Sequence, residues 1–158
     1  MRIAVVSDTH LSAPTDWLER AYAHHLATAD AVIHCGDMTG RSAWSFFLQH
    51  PSFYCVQGNM DDYQLAVDLP PRLDLELDGL KVAVCHGWGY KAGLSRRIYE
   101  AFGPGYDIIF FGHTHAREDS QYGKTRCINP GSLREGSLAI VTLDAGKIST
   151  EFVTLQEG

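Results

Sequence analysis

Short apolar runs alternate along the chain with polar loops and with stretches of helical periodicity. The continuous apolar run Ile3–Val6 predicts a strand that is buried on both faces. Thr15 and Asp16 precede apolar residues at three- and four-residue spacing, which predicts a capped amphipathic helix that ends near Ala29. The alternation continues with a strand, a short helix and a strand over Ala31–His34, Ala43–Leu48 and Phe53–Val56. This βαβαβ pattern predicts parallel strands whose following loops gather along one edge of the sheet.

The second half of the chain has more strands than helices. Leucines alternate with acids over Leu73–Leu77, and the apolar run Leu80–Cys85 follows a turn, which together predict a hairpin. Leu94–Phe102 predicts a helix, and Ile108–Phe111 predicts another buried strand. Turns at 122–124 and 144–146 then divide antiparallel strands that run to Thr154. The predicted fold class is α/β, a mixed-sheet β-sandwich flanked by helices, in one domain over residues 1–158.

Composition narrows the classes of partner. The chain is 45% hydrophobic, which is enough for a packed core, and has 13 Lys and Arg against 19 Asp and Glu. This acidic balance disfavours long nucleic acids, although two bound divalent cations would still attract a small phosphoester. The apolar run Ile3–Val6 is too short for a signal peptide or a membrane span, so we expect a cytoplasmic protein that does not bind membranes. The 4 cysteines stand singly and indicate reduced, buried thiols.

Polar residues that can bind metals or act on substrates follow five of the predicted strands. In chain order they are Asp8, His10, Asp37, Asn59, Asp61, His86, His113 and His115. Open α/β folds bind ligands at the carboxyl edge of the sheet, so we expect these side chains to meet there. Carboxylates together with imidazoles suit Mn, Fe, Zn or Ni better than Mg or Ca. The pattern therefore predicts a transition-metal site.

The motifs occur in a fixed order, each after an apolar strand. They are Asp8-Thr9-His10, Gly36-Asp37, Gly58-Asn59, His86-Gly87 and Gly112-His113-Thr114-His115. Their order and spacing resemble the calcineurin-like metallophosphoesterase family, and the short length resembles its small bacterial and archaeal phosphodiesterase branch. The resemblance spans almost the whole chain and implies the four-layer fold of that family. Asn129-Pro130-Gly131-Ser132 is also similar to a loop of that branch.

The resemblance implies a dinuclear metal centre. One divalent ion would be held by Asp8, His10, Asp37 and His115, and the second by Asp37, Asn59, His86 and His113, so that Asp37 bridges the two. Manganese is the first expectation for both ions, with nickel, iron or zinc as alternatives. Two such ions can share a hydroxide that attacks phosphorus while the metals bind the phosphoryl oxygens.

The residue after Asn59 departs from the family pattern. Many members have a histidine there that is thought to protonate the leaving oxygen, whereas this chain has Met60, which cannot donate a proton. A general acid contributes about 10²- to 10⁴-fold, so good leaving groups should react faster than alkoxides. Asp61 could orient a water in place of the acid. We therefore expect Asp61, Asn59 and His86 to be the catalytic residues of a small-diester phosphodiesterase.

Two other functions are compatible with parts of the pattern. The main alternative is a protein-binding scaffold of the same fold, similar to the retromer subunit, with little or no catalysis. A nuclease is the second, although the chain lacks the basic stripe that long nucleic acids require. The oligomeric state stays open, with a homo-oligomer among the expectations, and substrate choice is assigned to loops around Pro14, Trp88–Leu94 and Ser132.

Three further side chains have weaker expectations. His34 ends a predicted strand next to the metal-binding motifs and could support a metal ligand from behind. Arg96 and Arg97 begin the helix after His86 and could reach a substrate phosphate. A solvated helix face is the favoured interpretation for both arginines.

Overall fold

The computed structural model describes residues 1–156 and consists of two five-stranded sheets with helices on their outer faces. The strands are β1 Arg2–Val6, β2 Ala31–His34, β3 Phe53–Cys55, β4 Arg72–Leu77, β5 Leu80–Cys85, β6 Ile108–Phe110, β7 Arg117–Tyr122, β8 Thr125–Pro130, β9 Ser137–Asp144 and β10 Lys147–Thr154. The helices are α1 Asp16–Ala21, α2 Arg41–Phe47, α3 Tyr63–Ala66 and α4 Leu94–Phe102, and a π-helical turn, Tyr22–Leu26, follows α1.

The strand order is β10-β9-β1-β2-β3 in the first sheet and β4-β5-β6-β8-β7 in the second. In the first sheet, β1, β2 and β3 are parallel, which confirms the predicted βαβαβ unit, and β9 pairs antiparallel with β1. In the second sheet, β5, β6 and β8 are parallel, with antiparallel strands at both edges. The predicted hairpin is β4–β5. The mixed α/β sandwich is therefore confirmed.

Three clusters of buried side chains define the layers. Ile3 and Val5 of β1 pack against Val82 and Val84 of β5 between the two sheets. The alternate residues of β1 face outwards into a cluster that includes Leu18 of α1 and Phe47 of α2. Leu94 and Ile98 of α4 cover the outer face of the second sheet. The order of layers is thus helices, sheet, sheet and helix.

Several predicted boundaries need correction. The first helix ends as a π-helical turn at Leu26, short of the predicted Ala29. The sequence did not reveal α3, because its four residues are too few to show a helical period, although Asp62 caps it by accepting a hydrogen bond from the Leu65 N–H at 2.8 Å. The predicted domain extends to residue 158, and its last two residues lie outside the described part. Within residues 1–156, no helix is long and apolar enough to cross a membrane.

Candidate metal centre

The predicted site residues lie in five loops that come from both sheets. The loops after β1, β2 and β3 leave the first sheet, and those after β5 and β6 leave the second. The prediction that one sheet edge supplies all five loops is therefore wrong, because the site lies where two stacked sheets present their strand ends side by side. This arrangement brings Asp8 and Asp37 opposite His86 and His115.

Five of the proposed ligands have a left-handed backbone. The φ angles are 54° at Asp8, 48° at His10, 59° at Asp37, 71° at His113 and 63° at His115. Non-glycine residues pay a steric cost in this region, and such residues concentrate at functional sites. The surrounding fold therefore holds these five side chains in an arrangement that local backbone preference alone disfavours.

Two overlapping groups of carboxylate and imidazole atoms could each hold a metal ion. The first is Asp8, His10 and His115, and the second is Asp8, Asp37 and His86. Oδ1 of Asp8 lies 3.2 Å from Nε2 of His115, and Oδ2 of Asp37 lies 3.2 Å from Nε2 of His86. Nε2 of His10 lies 3.6 Å from Oδ1 of Asp8 and 3.7 Å from Oδ2 of Asp37. The two groups are contiguous, and Asp8 belongs to both.

Three buried atoms of the centre have no hydrogen-bond partner among the described residues. They are Oδ1 of Asp8, Nε2 of His10 and Nε2 of His86. Oδ2 of Asp8, by contrast, accepts hydrogen bonds from Ser7 Oγ at 2.6 Å and the His113 N–H at 3.1 Å. Leaving buried polar atoms unpaired costs free energy, and the three atoms face one another. This donor set fits a divalent transition metal.

The orientation of His86 is set by a backbone carbonyl. Its Nδ1 donates to the Cys35 carbonyl at 2.7 Å, which leaves the Nε2 lone pair facing Asp37. Burial lowers the pKa of His86, but the Asp37 carboxylate outweighs it and raises that pKa above its ordinary value. Burial likewise raises the pKa of Asp37, and contact with His86 brings it below its ordinary value. Each member of the pair thus stabilises the charged form of the other.

His113 and Asn59 flank this cluster. The His113 ring lies 5.2 Å from the His86 ring between centroids, and its Nε2 donates to the Gly89 carbonyl at 2.9 Å. That bond leaves Nδ1 as the nitrogen with a free lone pair. Asn59 is exposed and lines a pocket with His86. Neither residue belongs to the two carboxylate–imidazole groups, so their roles as ligands stay predictions.

Asp61 is engaged by backbone groups. Its Oδ2 accepts from the Gly58 N–H at 2.7 Å and its Oδ1 from the Thr39 N–H at 2.8 Å, which ties the loop after β3 to the loop after β2. The adjacent Met60 donates its N–H to Oδ1 of Asp37 at 2.7 Å, while its side chain is 58% exposed. The structure gives Asp61 a positioning contact, and its predicted action on a water stays a prediction.

His34 connects two of the motif loops. Its buried ring accepts a hydrogen bond from the Gly36 N–H at Nδ1, at 3.1 Å, and lies 2.7 Å from Oγ1 of Thr9 at Nε2, which therefore carries the proton. Burial, together with the charge of His86, lowers the pKa of His34 to about 3. His34 stays neutral at ordinary pH. It contacts Thr9 and Gly36, which adjoin the proposed ligands in sequence, and it makes no hydrogen bond to a proposed ligand.

The Asn129–Ser132 loop, whose first two residues still belong to β8, contacts two of the segments that carry proposed metal ligands. Nδ2 of Asn129 donates to the Gly112 carbonyl at 2.9 Å and to Oγ1 of Thr114 at 3.0 Å. Oγ of Ser132 donates to the Asp8 carbonyl at 2.9 Å. The loop thereby supports the segments that carry Asp8 and His113. Its Asn-Pro-Gly-Ser motif was the sequence signal that pointed to it.

Arg97 stabilises the loop between His86 and α4. Its guanidinium donates to the carbonyls of Ala92 at 2.7 Å, Trp88 at 3.1 Å and Tyr90. Arg97 is therefore half-buried and bonded to its own loop, and three of its five N–H donors are used by these carbonyls. Arg96 instead lies over the Tyr122 ring at 5.0 Å from its centroid.

Comparison with known proteins gives concordant similarities. Residues 1–146 match the model of the calcineurin-like phosphoesterase superfamily domain. The chain is 31% identical to a probable metallophosphoesterase of Bacillus subtilis over 96% of this chain and 90% of that one. It is 26% identical to a phosphodiesterase of Methanocaldococcus jannaschii over 83% of each chain. A Thermotoga maritima protein solved by NMR in solution is 34% identical, with a TM-score of 0.74 over 98% of this chain and 99% of that one.

Proposed function

The chain belongs to the calcineurin-like phosphoesterase superfamily, and from that premise we propose that it is a metal-dependent phosphodiesterase acting on a small phosphodiester. One observation carries the proposal: Asp8, His10 and His86 each direct a buried, unpartnered polar atom into one site. This arrangement costs stability unless a cation fills it, so it supports a metal-binding site. The similarity to a phosphodiesterase of Methanocaldococcus jannaschii supports the choice of ester.

The proposed centre holds two divalent cations. We assign Asp8, His10, Asp37 and His115 to one ion and Asp37, Asn59, His86 and His113 to the other, with manganese as the first candidate metal. Asp8 is common to the two groups described above, and Asp37 is proposed as the bridge because its Oδ2 lies 3.7 Å from Nε2 of His10 and 3.2 Å from Nε2 of His86. Cations at such a site supply a nucleophile from water near neutral pH and stabilise negative charge on the phosphoryl group. The positive φ angles at most of these positions support the proposal, since backbone strain of this kind accompanies function.

The residues of the chain then orient the site. Cys35 and Gly89 hold the rings of His86 and His113 through Nδ1 and Nε2 respectively, so that each ring presents its other nitrogen. Asp61 holds the turn that presents Asn59. Met60 supplies no proton, and we propose that the enzyme therefore prefers diesters with good leaving groups.

The negative net charge of the chain supports a small substrate. The chain has a net charge of −6 at pH 7, so the surface repels long polyanions while the centre can still take one phosphodiester. We propose further that residues 1–158 form one catalytic domain and act in the cytoplasm. A protein-binding scaffold of the same fold is the alternative that the experiment below distinguishes.

The test is purification without chelator, followed by elemental analysis and hydrolysis assays. Nitrophenyl monoester and diester substrates are compared with Mn²⁺, Ni²⁺, Zn²⁺ and Mg²⁺. We expect bound transition metal and faster turnover of the diester than of the monoester. Absence of turnover with every metal would overturn the proposal in favour of the scaffold, and a faster monoester reaction would overturn the choice of ester.

A further inference from the structure

A pocket opens beside the proposed metal centre. It has a volume of about 400 Å³ and shares Asn59 and His86 with the centre. Beyond them its wall continues along Pro71, Arg72, Trp88 and Phe102. Because a phosphodiester carries two organic substituents, a phosphate held at Asn59 and His86 would place one of them in this pocket. The volume lies near the lower end for small-ligand sites, so it suits one ring system rather than a polymer.

The pocket wall contains two aromatic residues, Trp88 and Phe102. Trp88 is 46% exposed, which is unusual for an indole beside a functional site. Phe102 is partly buried, and the Arg72 guanidinium lies over its ring at 4.0 Å from the centroid. Nε and Nη2 of Arg72 are in turn bound by Asp74, at 3.1 and 2.9 Å. Phe102 is thus already covered by Arg72, and Trp88 is the exposed aromatic residue of the wall.

The loop that carries Trp88 is held by hydrogen bonds from Arg97 and His113. Arg97 donates to the Trp88 carbonyl at 3.1 Å and to those of Tyr90 and Ala92. The next residue, Gly89, accepts the hydrogen bond from Nε2 of His113 at 2.9 Å. The loop that carries the indole is thus hydrogen-bonded to His113 of the proposed metal centre. A ligand that stacks on Trp88 therefore loses little free energy to ordering of the loop.

We propose that this pocket selects phosphodiesters in which one ester group carries a flat aromatic ring, and that the ring stacks on Trp88. A nucleobase is the flat aromatic ring that we expect in a natural substrate. One nucleobase suits a pocket of about 400 Å³, and a net charge of −6 disfavours longer nucleic acids. The inference rests on the proposed function, which it deepens by naming the substrate class.

The test measures binding with two probes that cannot be hydrolysed, phenylphosphonate and methylphosphonate. Both have the same anionic head and differ only in the ring. Calorimetric titration of the Mn²⁺-loaded protein should show the phenyl compound binding about 10-fold more tightly, from the usual contribution of aromatic stacking. Trp88→Ala should reduce that ratio to about 2-fold or less, and Trp88→Phe should preserve most of it.

Tyr90→Ala is the matched control, because Tyr90 is on the same loop, is 88% exposed and is not among the residues that line the pocket. It should keep the wild-type ratio. Equal affinities in the wild-type protein, or an unchanged ratio in Trp88→Ala, would overturn the inference even if the protein hydrolyses diesters. An intact phenyl preference without turnover under any metal would overturn the proposed function and leave the pocket assignment supported.

A second arm separates a nucleobase from a simple aryl group. Thymidine 5′-(4-nitrophenyl phosphate) and methyl 4-nitrophenyl phosphate release the same leaving group, so a difference in kcat/KM reports the other substituent. A preference for the nucleoside ester that is lost in Trp88→Ala supports the nucleobase. Equal kcat/KM values, with the phosphonate ratio intact, overturn the nucleobase and assign the pocket to a simpler aromatic ester.

Discussion

Nδ1 of His86 donates a hydrogen bond to the carbonyl of Cys35 at 2.7 Å, across 51 residues of sequence. The bond joins the end of β5 in the second sheet to the end of β2 in the first. It fixes the tautomer of His86, so that Nε2 faces Oδ2 of Asp37 at 3.2 Å. The two sheets have no strand pairing with each other, and this bond fixes the position of one strand end relative to the other at the proposed metal centre.

Asp37→Asn should remove both metal ions and lower turnover by at least about 100-fold, because an amide oxygen replaces the bridging carboxylate. The fold should persist, since asparagine tolerates the φ of 59° and its oxygen can still accept from the Met60 N–H. Elemental analysis, nitrophenyl diester assays and circular dichroism measure the three effects. Asp78→Asn makes the same chemical change at an exposed turn with φ of 51° and should be neutral. Unchanged metal content in Asp37→Asn would contradict the assignment.

Met60→His should raise activity on an alkyl phosphodiester by at least about 10-fold, because it introduces a general acid beside Asn59. The gain on a nitrophenyl diester should be smaller, since nitrophenolate leaves without protonation. The side chain is 58% exposed, so the substitution leaves the core unchanged. Kinetics on the two substrates give the ratio directly. A gain on the nitrophenyl ester that equals or exceeds the alkyl gain would rule out a missing acid.

His34 should make the metal-free protein less stable as the pH falls. Its folded pKa of about 3 lies below the ordinary value of 6.5, so protonation favours the unfolded state. Its contribution is fully present above about pH 6.5 and is lost progressively towards pH 3, on the order of 5 kcal/mol in total. Urea unfolding at several pH values should therefore show wild type losing stability more steeply than His34→Gln. Parallel curves would mean that His34 titrates normally.

Gly58→Ala should distort the centre. A Cβ at Gly58 would lie 2.2 Å from the backbone nitrogen of Asp37 and 2.3 Å from its Oδ1. We expect a loss of about 1 to 3 kcal/mol in the free energy of unfolding, together with weaker metal binding. Gly105→Ala is the control, since a Cβ there meets nothing within 4 Å, and it should stay within about 0.5 kcal/mol of wild type. Equal effects of the two substitutions in urea unfolding would refute the steric argument.

Arg97→Gln should lower kcat by about 10-fold, because the loop that Arg97 stabilises also positions His113 through Gly89. Arg96→Gln is the matched control, since the neighbouring Arg96 lies over Tyr122 instead. Metal titration of both variants separates a displaced ligand from a general loss of stability. Similar kcat values and metal affinities in the two variants would show that the loop bonds do not reach the centre.

Much of the fold could be read from local pattern. The bounds of β2 and α4 agree with the apolar periodicity that predicted them, and the β4–β5 hairpin follows alternating leucines. Periodicity works here because each element buries one face or both, and that requirement is written in neighbouring residues. It failed at α3, which is too short to repeat, and at the end of α1, where a π-helical turn replaces regular helix.

The sequence by itself determined which residue types stand at the strand ends, and so predicted Asp8, Asp37 and His86 as parts of one metal site. Only the tertiary structure decided that two sheets supply them, that Asp61 binds backbone, and that Trp88 faces a pocket beside His86. The reason is physical: strand-end chemistry is a local property of the chain. Contacts between separate sheets depend on how their buried faces pack, and no short stretch of sequence encodes that packing.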